Sequence, residues 1–74
     1  MSPTYHDLPL AIRQIAEHVL TPRQLTAYRL AANGMSERDI ALHLGVTRRA
    51  VRDRLQEADV KIRRHPDYPK EPAA

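Results

Sequence analysis

The chain has 74 residues, a net charge of +3 and no Cys, Phe or Trp, which bounds it to one small domain and excludes a disulfide framework, a thiolate metal site and a cysteine nucleophile. No apolar run approaches the roughly 20 residues that span a bilayer, and "MSPTYHDLPL" lacks the basic and long apolar regions of a secretory signal, so a cytoplasmic protein without a membrane partner is expected. The charge is unevenly placed: residues 1–46 are neutral, residues 47–65 hold seven basic groups against three acidic, and the last nine residues are net −1.

No strand is expected, because there is no sustained alternation and no Asn-Gly or Asp-Gly hairpin signal. A first helix is predicted over about residues 8–19. Asp7 is its candidate cap, and Pro9 is tolerated in a first turn, where amide donors are free. Leu8, Ile12, Ile15 and Val19 recur at i, i+4, i+7 and i+11 as one apolar stripe, which Leu10, Ala11 and Ala16 extend. That stripe either packs on the rest of the chain or forms the seam of a homodimer.

Three further helix starts are marked by caps. Thr21 precedes Pro22 and is followed by Gln24, a capping box with proline at the first helical position. Ser36 caps the next helix, with Glu37 and Asp39 in its first turn favoured by the helix dipole. Thr47 caps the last. Leu20 with Leu25, Met35 with Ile40 and Val46 with Val51 form three hydrophobic staples in register. Gly34 and Gly45, the chain's two glycines, end the helices at Pro22–Asn33 and Glu37–Leu44. The last helix runs from Arg48 to about Arg64 and stops before Pro66. The fold class is therefore all-α: a small four-helix domain over residues 1–65 with a helix-turn-helix at about 37–64, and a flexible Pro-rich tail over 66–74. Pro66, Pro69 and Pro72 are three apart, which suits an extended terminus.

Helices at Glu37–Leu44 and Arg48–Arg64 joined by a tight turn have the layout of a helix-turn-helix. Ala41 is small where the helices approach, Gly45 makes the turn, and Val51 packs back. Val51, Leu55, Ala58 and Ile62 share the inner stripe of the last helix. Arg48, Arg49, Arg52, Asp53 and Gln56 then lie on its outer face near the N-terminal end, the end that enters a major groove. Arg52 suits guanine and Gln56 adenine. Asp53 either accepts from a cytosine amino group or orients Arg49 or Arg52. Thr47 and Arg48 suit phosphates, which position without specifying; Arg49 suits either a phosphate or a base edge. Arg38 and Arg54 reach the backbone or remain solvated.

The run "LTPRQLTAYRLAANGMSERDIALHLGVTRRAVRDRLQEADVKIRR", residues 20–64, resembles the helix-turn-helix shared by LuxR-type regulators and region 4 of sigma-70 factors. The matching elements are Leu20-Thr21-Pro22-Arg23, Leu30, Gly34-Met35-Ser36, Asp39-Ile40-Ala41, Leu44-Gly45-Val46-Thr47 and Val51-Arg52, with no gap. Arg54-Leu55, Ala58 and Lys61-Ile62-Arg63 are closer to the sigma version. Gln24 and Leu25 depart from the family's usual Glu and Arg, and a Pro-rich tail stands where LuxR-type proteins carry a dimerisation helix. The resemblance implies base contacts at Arg52, Asp53 and Gln56, in a DNA-binding module rather than a quorum sensor or a complete sigma factor.

Other chemistry has little support. Asp39 and His43 are spaced for a surface pair, the four histidines lack ligand spacing, and no phosphate loop or nucleophile motif occurs. The expected protein is not an enzyme and needs no cofactor. It is a sequence-specific double-stranded DNA-binding regulator of bacterial or phage origin, and a homodimer. Two rivals remain: a module that binds RNA polymerase or another regulator, and a DNA-binding accessory of recombination or packaging.

Overall fold

Proline decides where the first helix begins. Leu8 precedes Pro9 and is extended (φ −67°, ψ 149°), because the proline ring crowds a helical residue before it. Helix α1 therefore runs Leu10–Val19 with Pro9 at its cap position, starting at Leu10 rather than at residue 8. Asp7 does not cap α1. It closes a single 3₁₀ turn, Tyr5–Asp7, by accepting from the Thr4 amide at 2.9 Å and the Thr4 hydroxyl at 3.2 Å.

The computed structural model describes residues 4–69. After α1 come α2 (Pro22–Ala32), α3 (Glu37–Leu44) and α4 (Arg48–Arg63). Among the described residues there is no strand, so the architecture is the expected all-α one. The caps act as their sequence implies. The Thr21 hydroxyl accepts from the Gln24 amide, and the Gln24 side chain accepts from the Thr21 amide, both at 3.2 Å. The Ser36 and Thr47 hydroxyls each accept from the third residue on, Asp39 and Ala50, at 3.1 Å.

Two left-handed glycines turn the chain between α2, α3 and α4. Gly34 takes φ +94°; its amide bonds the Ala31 carbonyl at 3.0 Å, and that of Met35 bonds Leu30 at 3.1 Å. Both bonds occupy carbonyls that the end of α2 would leave open. Gly45 takes φ +68°, and the Val46 amide reaches back to Ala41 at 3.0 Å. A side chain with a Cβ is strained in this region, so each turn needs its glycine.

Helix α4 packs against α1, α2 and α3 and joins two apolar clusters. Its first half places Val51 with Ile40 and Ala41, packed by Leu30, Ala31, Met35, Leu44, Val46 and Leu55. Its second half places Ala58 and Ile62 with Ile15, Ala16 and Leu20. The inner stripe of α4 is thus the strut that fixes α3 on one side and α1 on the other.

The α1 stripe is largely spent inside the chain. Ile15 is 4% exposed and Ala16 0%, and Ile12 and Val19 pack half-buried on the same cluster. Neither Ile15 nor Ala16 is available as a seam for a second copy, since Ala58 and Ile62 of α4 cover them. Leu8 is half-buried and Ala11 exposed, and Leu10, at 59% exposure, is the large apolar side chain that α1 leaves outside.

The extended tail expected over residues 66–74 does not hold for its first four residues. Residues 66–69 turn back on the domain rather than extending from it. The Tyr68 amide bonds the His65 carbonyl at 3.0 Å, and the Asp67 amide donates to His65 Nδ1 at 3.1 Å. Tyr68 packs on the cluster between α1 and α4, because an aromatic ring adds much apolar area to a core with few large side chains. Residues 70–74, with Pro72, lie outside the described residues. No helix among the described residues is long and apolar enough to cross a membrane.

Candidate nucleic-acid interface

The α3–α4 pair presents the outer face that its sequence pattern implies. Val51 and Ala58 are fully buried and Ile62 nearly so, which turns Arg48, Arg49, Arg52, Asp53 and Gln56 outward; all five are exposed, as is Thr47. The first turn of α4 has no acidic residue. Its free amides, the positive end of its dipole and two arginines therefore meet at one place, which favours an anion. Among the described residues, Arg48 and Arg49 have no ion-pair partner.

Arg52 is held differently. Its Nη2 donates to Glu37 Oε1 at 3.2 Å, across the turn from the first residue of α3. That hydrogen bond, and then the carboxylate charge, raises the Arg52 pKa above its ordinary value, because both favour the charged guanidinium. The side chain stays 57% exposed, and a guanidinium has five N–H donors, so the outward edge remains free to pair with a base. Asp53 is exposed beside it and forms no ion pair with Arg49 or Arg52.

The four expected backbone-contact residues do not form one group. Thr47 and Arg48 sit at the α4 start, and Arg38 is exposed on the first turn of α3. Arg54 is half-buried on another side of α4 and lines a groove with Pro22, Arg23, Thr26, Leu44 and Val46. Arg23 belongs to this groove as well, although its position in the sequence does not single it out as a contact. From the start of α2 it brings a second guanidinium to the groove that Arg54 lines. Its signal in the sequence is the Leu20-Thr21-Pro22-Arg23 element, which sets it one residue into α2.

A polar bridge fixes α2 against α4 next to this face. Gln24 is 7% exposed; its amide Nε2 donates to Glu57 Oε2 at 2.9 Å, and its Oε1 accepts from Lys61 Nζ at 2.8 Å. An amide can serve an acid and a base at once. A glutamate here would oppose Glu57, so the departure from the family's usual residue has a structural role. Among the described residues no group of His, Asp and Glu could hold a metal ion.

An exposed, basic and uncompensated helix start, mounted on a buried helix-turn-helix core, defines a nucleic-acid-binding helix-turn-helix domain. The family model for sigma-70, region 4, matches residues 11–61, more than half of the chain, and the chain belongs to that family. The match falls on the sigma-70 side of the resemblance. Membership brings DNA binding and a transcription-related role. No curated protein and no solved structure shows a significant match.

Proposed function

We propose that this chain is a non-catalytic, sequence-specific double-stranded DNA-binding regulator of transcription, working in the cytoplasm of a bacterium or in a phage-infected cell. The observation that carries the reading is the start of α4, where Arg48 and Arg49 are exposed without ion-pair partners and no acid stands in the first turn. Arg52 and Gln56 read base edges, with Asp53 and Arg49 beside them. Thr47, Arg48, Arg38 and the Arg23–Arg54 pair hold the phosphate backbone. A small module gains affinity by using two half-sites about one helical turn apart. In this reading a homodimer forms through the outer side of α1, around Leu10 and Ala11, with the remaining exposed edge of Ile12.

Selection of bound sites from random duplex DNA tests the reading. A defined motif of a few base pairs is expected; recovery of random sequence would reject sequence-specific regulation. A second reading, a module that docks on RNA polymerase, is favoured by the family itself and by Leu42, 72% exposed on α3. Retention of polymerase together with failure to select any DNA motif would place the second reading first.

A further inference from the structure

The contact between Glu37 and Arg52 links the outer faces of the two helices of the helix-turn-helix across fifteen residues. It differs from the other arginine pairs. Arg63–Asp59 lies within one turn of α4, with both partners more than half exposed, and Arg29–Glu17 is long at 3.8 Å with both about half exposed. Glu37 is 33% exposed against 57% for Arg52: the carboxylate lies closer in to the protein surface and the guanidinium is the half that reaches out. Glu37 also stands in the first turn of α3, where the helix dipole favours a carboxylate. An arginine on a helix surface otherwise samples many rotamers and must be ordered when it binds. Here one Nη2 donor is already tied down, and the remaining donors are carried by a planar group of restricted direction.

We propose that Glu37 is a positioning residue for base recognition: it holds Arg52 for a guanine edge and withholds it from the phosphate backbone. The inference rests on the DNA-reading function proposed above. Two consequences follow from different physics. Pre-ordering raises the preference for the right base, because less freedom is lost on binding. The carboxylate also cancels one positive charge near the duplex, which lowers the pull toward any DNA, since that pull scales with the phosphates neutralised. Together they increase the ratio of specific to non-specific binding.

The experiment measures binding of the full chain, by fluorescence anisotropy, to its selected site, to that site with the Arg52-dependent base pair changed, and to random duplex, over a range of salt. Glu37→Gln is expected to lower discrimination at that base pair about two- to fivefold, the range of an exposed charge pair. It should also tighten binding to random duplex at low salt and steepen the log–log salt slope by up to about 0.9, one phosphate contact. Glu37→Asp keeps the charge but is one methylene shorter; it should lose discrimination while keeping the wild-type salt slope. In an Arg52→Ala background, Glu37→Gln should leave the ranking of sites unchanged. A merely structural role would shift the melting midpoint without this pattern. Unchanged discrimination in Glu37→Gln, or an equal loss with Arg52 already removed, overturns the inference alone. A wild-type chain that binds no duplex removes the underlying reading, and the inference with it.

Discussion

Helices α3 and α4 start by the same device and carry opposite charge. Each follows a left-handed glycine, an apolar staple residue and a hydroxyl cap, Gly34-Met35-Ser36 for one and Gly45-Val46-Thr47 for the other. The first turn of α3 then has Glu37 and Asp39 on either side of Arg38, while that of α4 has Arg48 and Arg49 and no acid. Acids at a helix start complement the dipole and stabilise it, typically by about 0.3–1 kcal/mol each; bases there do the reverse. The α3 start is thus complete within the chain. The α4 start is held by its cap and by Val51 in the core, with its electrostatics left open for an external anion. Two helix starts built by the same device thus differ in how their charge meets the helix dipole: the acids of α3 complement it and the arginines of α4 oppose it.

Substitutions in the shared core and at the two helix starts test that contrast. The largest effect is expected at the core that the two helices share. Ile40 is fully buried, and Ile40→Ala should cost about 2–5 kcal/mol, most of what a domain of this size has. Thermal unfolding followed by circular dichroism should show a lost or much lowered transition. On the DNA side, Arg52→Ala and Gln56→Ala should each cost about 1–3 kcal/mol on the best site and relax preference at one or two base pairs. Arg48→Ala should instead weaken all sequences alike and make the salt slope shallower by about 0.9. If Arg52→Ala leaves the ranking of sites unchanged, the reading face is not the one described.

Charge reversal at the two starts addresses the contrast itself. Arg48→Glu and Arg49→Glu should each raise stability by about 0.3–1 kcal/mol while abolishing duplex binding. Asp39→Lys should lower stability by a similar amount and leave site preference intact. Denaturant titration beside a binding assay measures both. A variant of α4 that loses stability on gaining the acids would mean that the arginines have structural partners after all.

The smallest effect concerns alkaline pH. Burial, the largest cause, raises the pKa of both Tyr5 and Tyr28 above the ordinary value of 10.0. In the unfolded chain these phenols ionise first, so their contribution is fully present below pH 10 and is lost as pH rises through the raised folded values. Tyr28→Phe should flatten the decline in stability above pH 10, seen as a weaker pH dependence of the melting midpoint. The same slope in wild type and variant would mean that burial does not govern this tyrosine.

Local punctuation was legible in the sequence. The starts of α2, α3 and α4 are written in Thr21, Ser36 and Thr47 and in their staples, and the inward stripe Val51, Leu55, Ala58 and Ile62 turns the basic residues outward. The start of α1 was harder to place, because Pro9 suits both a first helical turn and a cap position, and its effect on Leu8 decides between them. Contacts between residues far apart in the chain were not legible. Tyr5 is 3% exposed, with its amide on Asn33 Oδ1 at 2.7 Å and its ring 4.9 Å from the Arg29 guanidinium, yet nothing in "PTYHD" announces that docking. The Gln24 bridge to Glu57 and Lys61, the return of Tyr68, and the hold of Glu37 on Arg52 all depend on how helices cross. The stripe of α1 is plainly apolar in the sequence, but whether α4 or a second copy covers Ile15 and Ala16 depends on packing that periodicity does not encode.

The α4 start, with Arg48 and Arg49 exposed and no acid in its first turn, is suited to a polyanion. The most direct measurement is the affinity of the wild-type chain for duplex DNA as a function of salt. With several phosphates neutralised by Arg48, Arg49 and their neighbours, the logarithm of the association constant should fall linearly with that of salt concentration, with a slope of about −0.9 per contact and hence steeper than about −2. A salt-independent affinity, or no duplex binding even at low salt, would contradict it.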